Sequence, residues 1–396
     1  MSVGLRRRCA DLACRILQRL LPSNLRPWGQ AVRHEAAAIP DDSEALRFAL
    51  SSLFGLTPRI LLAGLLLLLA GCDEDRLIPT GAMTGMTSAD GLTLRPRALG
   101  IVCATGAVAL GVAYLAVTGA PVHYLAINGV ALLIGLVLLV VAGRLSVWSA
   151  GWRGALMLVA AGFLLATGLL GERVAGAARW VQVGALFVQP SLILLPAVIV
   201  AFAKMRDLLS TMAMIVAAVA LAVQPDRAMA FVLAAALGVL AVMRPDRFSL
   251  TALAGGLVGF AMTLIQTDRL PAVPFVDQVF YSSFGEHVLA GAAVLGGSVL
   301  LLLPALAGWT RDVENRAVYA AFGTTWLAAM VAAALGNYPT PVVSYGGSAI
   351  IGYLICLIAL PKSVSSTASA AADEVVCEAD RDKLNSSTFA VGRLHT

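Results

Sequence analysis

Charge is scarce in this chain. Asp, Glu, Lys and Arg make up 13% of its 396 residues, against about 25% in ordinary soluble proteins. So few charges cannot coat a globular surface of this size, which excludes a conventional soluble enzyme. The six cysteines, Cys9, Cys14, Cys72, Cys103, Cys356 and Cys377, fall in a basic leader, in apolar runs and in a polar tail, with neither disulfide nor metal-ligand spacing. They read as free thiols, and a disulfide scaffold is excluded. A net charge of +5 would hint at nucleic acid in a soluble protein, but here the cations punctuate apolar runs, so no nucleic-acid partner is expected. An internal repeat of the kind that marks many transporters is also missing.

What the chain has in abundance is hydrophobicity: 59% apolar residues and a mean hydropathy of +0.85. The expected class is therefore all-α, a polytopic membrane protein that uses lipid as its outer solvent. Apolar runs at about 98–118, 124–143, 154–171, 188–203, 208–224, 228–243, 248–265, 287–308, 317–336 and 346–361 give ten spans. Alternating the loops puts Arg144, Arg153, Lys204, Arg206, Arg244, Arg247, Arg311, Arg316 and Lys362 on one side, with Arg173, Arg179, Arg227 and Arg269 on the other. The richer side is expected to be cytoplasmic. Trp148, Trp152, Trp180 and Trp309 fall at span ends, as interfacial aromatics should.

Three regions follow: a basic extension at 1–97, a ten-helix domain at 98–361 and a disordered cytoplasmic tail at 362–396. In the extension, Leu5, Cys9, Leu12, Ile16, Leu17, Leu20 and Leu21 form a helical stripe opposite Arg6, Arg7, Arg8, Arg15 and Arg19. Either this helix lies on anionic membrane lipids or the segment is a poorly ordered tail. The apolar segment 60–71 is too short for the roughly 30 Å hydrocarbon core as a straight helix. Its Leu69-Ala70-Gly71-Cys72 ending mimics a lipobox, but too far from the N-terminus to act as a signal.

The specific signals sit in loops of the less basic side. Gly176-Ala177-Ala178-Arg179-Trp180 is followed by Gln189-Pro190-Ser191; then come Gln224-Pro225-Asp226, Asp277 with Phe280 and Glu286, and Ser344-Tyr345-Gly346-Gly347-Ser348. In this order they resemble the NGARRW, QPSE, QPD, acidic-loop and SYGGS elements of the SEDS family (shape, elongation, division and sporulation). The resemblance covers the ten-span region and neither terminus. It implies a SEDS-type bundle and a peptidoglycan glycosyltransferase that polymerises lipid II, an undecaprenyl diphosphate carrying a disaccharide-peptide, on the outer face of the bacterial plasma membrane. It further implies a class B penicillin-binding protein as transpeptidase partner, and Asp277, in the loop between the seventh and eighth spans, as the catalytic carboxylate. Asp268, with no aromatic run after it, is the weaker candidate.

Such chemistry asks little of the protein. Diphosphate leaves without being protonated, so one carboxylate suffices as general base on the attacking hydroxyl if cations stabilise the departing charge. An arginine, with or without a divalent cation, meets that need; the sequence assigns no metal ligands. The candidate substrate contacts are Arg179, Trp180, Gln189, Ser191, Glu286, Ser344, Tyr345, Gly346, Gly347 and Ser348. Each has a plainer reading. Asp277 is equally an ordinary loop aspartate, and Arg179 a snorkelling anchor. Gln189-Pro190-Ser191 is a helix entry, Asp226 an N-cap, and Ser283 to Glu286 has capping-box spacing before the eighth span. The paired glycines also let backbones approach closely. His123 and His287 read as interfacial polarity.

The chain departs from the family at several points. Leu192 stands at the acidic position of QPSE and Leu195 at the usual lysine, a paired loss that is nearly neutral because neither charge is stranded. Ala175 replaces the asparagine and Ala178 an arginine of NGARRW; Gln278 follows Asp277 where phenylalanine is usual, and Gly285 replaces the first of two glutamates. Two other functions therefore stay open: a weakened paralogue that scaffolds a transpeptidase, and a flippase for lipid-linked sugar.

Overall fold

The computed structural model describes residues 3–20, 26–52, 95–145, 152–171, 173, 176–184, 186–266 and 271–362. The 60–71 segment, Cys72, Trp148, Ala175, Asp268 and the tail beyond Lys362 lie outside them. The helices are α1 (Val3–Leu20), α2 (Arg26–Ala38), α3 (Pro96–Val117), α4 (Val122–Leu145) and α5 (Arg153–Leu170). A two-stranded antiparallel hairpin, β1 (Val181–Val183) and β2 (Leu186–Val188), precedes α6 (Pro190–Met205). Then follow α7 (Leu208–Val223), α8 (Arg227–Met243), α9 (Arg247–Ile265), the short α10 (Val279–Glu286), α11 (Val288–Arg311), α12 (Arg316–Leu335) and α13 (Gly347–Cys356) with a 3₁₀ turn, Leu357–Ala359.

Every expected span is a helix, within a few residues of its apolar run. Six, α3, α4, α5, α9, α11 and α12, are long and apolar enough to cross a membrane. The shorter α6, α7, α8 and α13 are apolar too. Leu170, Leu335 and Val242 are more than 80% exposed; so much bare aliphatic surface would aggregate in water but suits acyl chains. The chain is an all-α, multi-pass membrane protein.

Polar caps start the helices at the basic end. Asp207 accepts from the Ser210 amide (2.8 Å) and caps α7; Asp246 does the same for α9 through Ser249 (2.8 Å) and takes an ion pair from Arg206 (2.9 Å). These bonds satisfy amides that the first helical turn leaves without partners.

Packing centres on α6, which touches α5, α7, α8, α12 and α13. Leu192 and Leu195 are both buried on it, so the paired replacement places two leucines in the core. Gly352 of α13 brings its backbone so close that a Cβ would stand 2.0 Å from the Leu192 carbonyl oxygen.

The N-terminal extension is helical over the expected stripe and forms a small packed module. Ala10, Ala13, Cys14 and Leu17 of α1 pack against Val32 and Ala36 of α2 and against Ala45 and Ala49 in a helical stretch at 42–52. Val141 of α4 packs on this small core. Arg33 and Arg15 both pair with Asp11 (2.9 and 2.7 Å). Of the expected stripe, Leu17 is buried in this core, Cys9 and Ile16 are half-buried and Leu12 is exposed.

Candidate functional site

The loops at the end of the bundle opposite the extension enclose a cavity of about 900 Å³. Its walls come from α4, the β-hairpin, residues 271–277, residues 337–346 and the start of α13. Four stretches far apart in sequence, since 337–346 runs directly into α13, thus meet only because the helices bring their ends together.

Asp277 lies on the wall between two non-glycine residues with left-handed backbone, Phe275 (φ 62°) and Gln278 (φ 54°). Such residues are uncommon and concentrate at functional sites. The turn is fixed by local bonds. The Asp277 amide donates to the Val273 carbonyl (3.0 Å), and the Val273 amide donates back to Asp277 Oδ2 (2.9 Å). Opposite, Thr340 donates its amide to the Val276 carbonyl (3.1 Å), Tyr345 to the Phe275 carbonyl (2.9 Å), and Asp277 bridges Pro339. Gln278 Nε2 donates to Asn337 Oδ1 (2.8 Å). The turn bearing Asp277 is therefore stitched to the segment that leads into Ser344-Tyr345-Gly346-Gly347.

Burial pushes the Asp277 carboxyl above the ordinary carboxylate range; the Val273 amide and the Arg179 charge pull the other way. A buried carboxylate with one cation in reach is suited to accept a proton near neutral pH.

Arg179 is 3% exposed and lines the cavity. Its Nη2 donates to the Pro225 carbonyl and its guanidinium lies 5.7 Å from the Tyr338 ring centroid. This fixed, enclosed position is not that of a snorkelling side chain. Trp180 lines the same cavity beside it.

The Gln189 element plays two parts. Gln189 lines the cavity, while its Nε2 donates to Ser191 Oγ (3.1 Å) and Asp226 Oδ2 (3.0 Å), and Ser191 Oγ donates to the same Oδ2 (2.8 Å). Asp226 Oδ1 accepts from the Met229 amide (3.2 Å), so the N-cap reading holds, and the two Gln-Pro elements are joined through one carboxylate. Ser191 is wholly buried and does not line the cavity. Pro190 takes the first helical position of α6, as expected.

Ser344, Tyr345, Gly346, Gly347 and Ser348 all line the cavity. Ser348 Oγ accepts from the Gln189 amide (3.0 Å), and Ser344 Oγ donates to the Thr340 carbonyl (2.6 Å). Tyr345 stacks on Tyr124 at a centroid distance of 3.7 Å. Gly111 of α3 supports this segment from behind: a Cβ there would stand 2.5 Å from the Val343 carbonyl oxygen.

Glu286 is not brought to the cavity. It is exposed at the end of α10, within electrostatic reach of Tyr114 on α3. The expected capping box is also replaced, because Ser283 lies inside α10 and His287 Nδ1 accepts from the Leu289 amide (3.1 Å) to cap α11. His123 lines the cavity edge against Tyr124.

Sequence reasoning missed Asn128. It is wholly buried in α4, donates Nδ2 to the Ser344 carbonyl (2.9 Å) and accepts from the Gly346 amide through Oδ1 (3.2 Å). The signal was there: an amide in the middle of an apolar span needs partners. Among the described residues, no group of three or more His, Cys, Asp or Glu gathers to hold a metal ion.

No protein-family model matches the chain, and no curated protein matches it. Among solved structures, the fold is similar to the rod shape determining protein RodA of Thermus thermophilus, with a TM-score of 0.49 and 23% identity over 65% of this chain and 93% of that one. It is likewise similar to an aspartate-to-alanine mutant of the same protein, with a TM-score of 0.47 and 22% identity over 65% and 94%.

Proposed function

We propose that the chain is a glycosyltransferase of peptidoglycan synthesis that acts on undecaprenyl diphosphate-linked sugar at the outer edge of the bacterial plasma membrane. The observation that carries this reading is the pairing of Asp277 and Arg179 in one cavity. A carboxyl that burial holds above the ordinary carboxylate range stands within electrostatic reach of a guanidinium, and both line one cavity.

Asp277 takes the proton of the attacking sugar hydroxyl as its oxygen bonds to the anomeric carbon. The bond from that carbon to the diphosphate breaks, and the electron pair leaves with the diphosphate. Arg179 stabilises the departing charge, and a fixed cation in a water-poor site does so without reorganisation. The apolar wall from α4, including Ile127, Val130 and Ile134, suits the isoprenoid, while Trp180 and the glycine backbone suit a sugar face. A divalent cation would add to Arg179's effect.

Purified protein supplied with lipid II is expected to make glycan polymer, and Asp277→Asn to make none while remaining folded. Polymer from that variant would remove Asp277 from the chemistry. A second reading, a scaffold for a class B penicillin-binding protein, draws on the position of Glu286 outside the cavity. It expects the complex but no polymer from the wild type.

A further inference from the structure

Thr340 is committed through its backbone and uncommitted through its side chain. Its amide donates to Val276, and its carbonyl accepts from both the Ser344 amide (3.3 Å) and the Ser344 hydroxyl (2.6 Å). The residue lines the cavity and is 1% exposed, yet its Oγ1 has no hydrogen-bond partner among the described residues. Buried hydroxyls elsewhere in the bundle bond back along their own helix, Thr325 to the Ala321 carbonyl (2.7 Å) and Ser298 to the Val294 carbonyl (2.9 Å). Thr340 sits in a loop that offers no such carbonyl. The Ser249 and Ser283 hydroxyls are also unpartnered, but neither residue lines the cavity. A buried unpaired hydroxyl costs stability unless something else pairs with it.

We infer that Thr340 is a specificity residue of the site, whose hydroxyl hydrogen-bonds a hydroxyl or acetamido oxygen of the sugar beside Asp277. This rests on the sugar-transfer reading above. The backbone pairing of Thr340 with Val276 and of Pro339 with Asp277 holds the two segments side by side, and both Thr340 and Asp277 line the cavity. A hydroxyl both donates and accepts, so it fits a sugar oxygen, whereas it adds nothing for an isoprenoid chain. The diphosphate has Arg179.

The test uses full-length protein in detergent and two probes, lipid II and undecaprenyl diphosphate without sugar, with binding measured for the wild type, Thr340→Val and Thr340→Ser. Thr340→Val is expected to weaken lipid II about tenfold and to leave undecaprenyl diphosphate unchanged, and Thr340→Ser to restore the loss. The unliganded melting temperature of Thr340→Val should equal or exceed that of the wild type, because a methyl replaces an unpaired hydroxyl. A purely structural role predicts a lower one. Equal lipid II affinity in Thr340→Val and the wild type, or a uniform loss of both probes, would overturn the assignment while Asp277-dependent polymerisation left the transfer reading standing. A wild type that binds neither probe would sink both.

Discussion

Asn128 holds Ser344 and Gly346 with the two ends of one amide, donating to the Ser344 carbonyl at 2.9 Å and accepting from the Gly346 amide at 3.2 Å. The neighbouring Tyr345 amide reaches the Phe275 carbonyl, so a side chain inside α4 helps set the turn that bears Asp277. Replacing Asn128 with leucine leaves a buried carbonyl and a half-buried amide unpaired. Each costs about 1–3 kcal/mol. Asn128→Leu should therefore lower the melting temperature of detergent-solubilised protein by several degrees, and lower turnover as well; a variant as stable as the wild type would refute this role.

Asp277→Asn should move stability and activity in opposite directions. The folded state holds the Asp277 proton above the ordinary carboxylate range, mainly through burial. Stability from this group is present below the unfolded value of about 3.9 and is lost as pH rises through the raised folded value. At neutral pH the asparagine variant should melt no lower than the wild type, with polymerisation gone. Melting curves at pH 5 and pH 7 check the sign.

The same raised value sets the acid limb of the reaction. A general base works only when ionised, so kcat/KM should fall as pH drops through a value above the usual carboxylate range. Arg179 favours the charged form of Asp277. Arg179→Gln should move the limb to higher pH besides slowing transfer, and an unmoved limb would separate the two residues.

Asp226 offers a contrasting aspartate. Its carboxylate accepts from Gln189, Ser191 and the Met229 amide, all inside the protein. In Asp226→Asn an amide nitrogen must face either the cap or two donors. The expected cost is about 2–4 kcal/mol, read as a lower melting temperature. Loss of activity without loss of stability would show that Asp226 acts in the chemistry.

Gly352→Ala tests the bundle itself. Its new methyl would meet the Leu192 carbonyl at 2.0 Å, a backbone group that cannot rotate away. Separating α13 from α6 should cost about 1–3 kcal/mol and shift the cavity wall that begins at Gly347. Folded yield and melting temperature report it.

The ten apolar helices were legible because an apolar run of about span length has one use in a chain with so little charge. The eight-residue α10 was hidden by a loop whose prolines at Pro271 and Pro274 masked its start. The α1–α2 module escaped because its core is built largely of alanines, such as Ala10, Ala36 and Ala49, which barely raise hydropathy. Within the site, the loop elements led to Asp277, Arg179 and the Ser344–Ser348 segment, which share a cavity. Glu286 keeps its distance along the chain from Asp277, but α10 carries it out of the cavity, since sequence separation fixes no direction. Asn128 and Thr340 lay outside the short elements that drew attention, and only the pairing of buried polar atoms revealed them.

Two helices at the middle of the bundle, α6 and α13, are shorter than its long spans. α6 and α13 begin only after the β-hairpin and the Tyr345 segment, both of which line the cavity, and the sixteen residues of α6 rise about 24 Å against a hydrocarbon layer of about 30 Å. The cavity of the candidate site lies at the starts of both helices, lined by Gln189 and Leu192 on one side and Gly347 and Ser348 on the other. For the proposed lipid-linked substrate, a site at the starts of short helices asks the sugar to travel less far from the acyl layer than a site above full-length spans would.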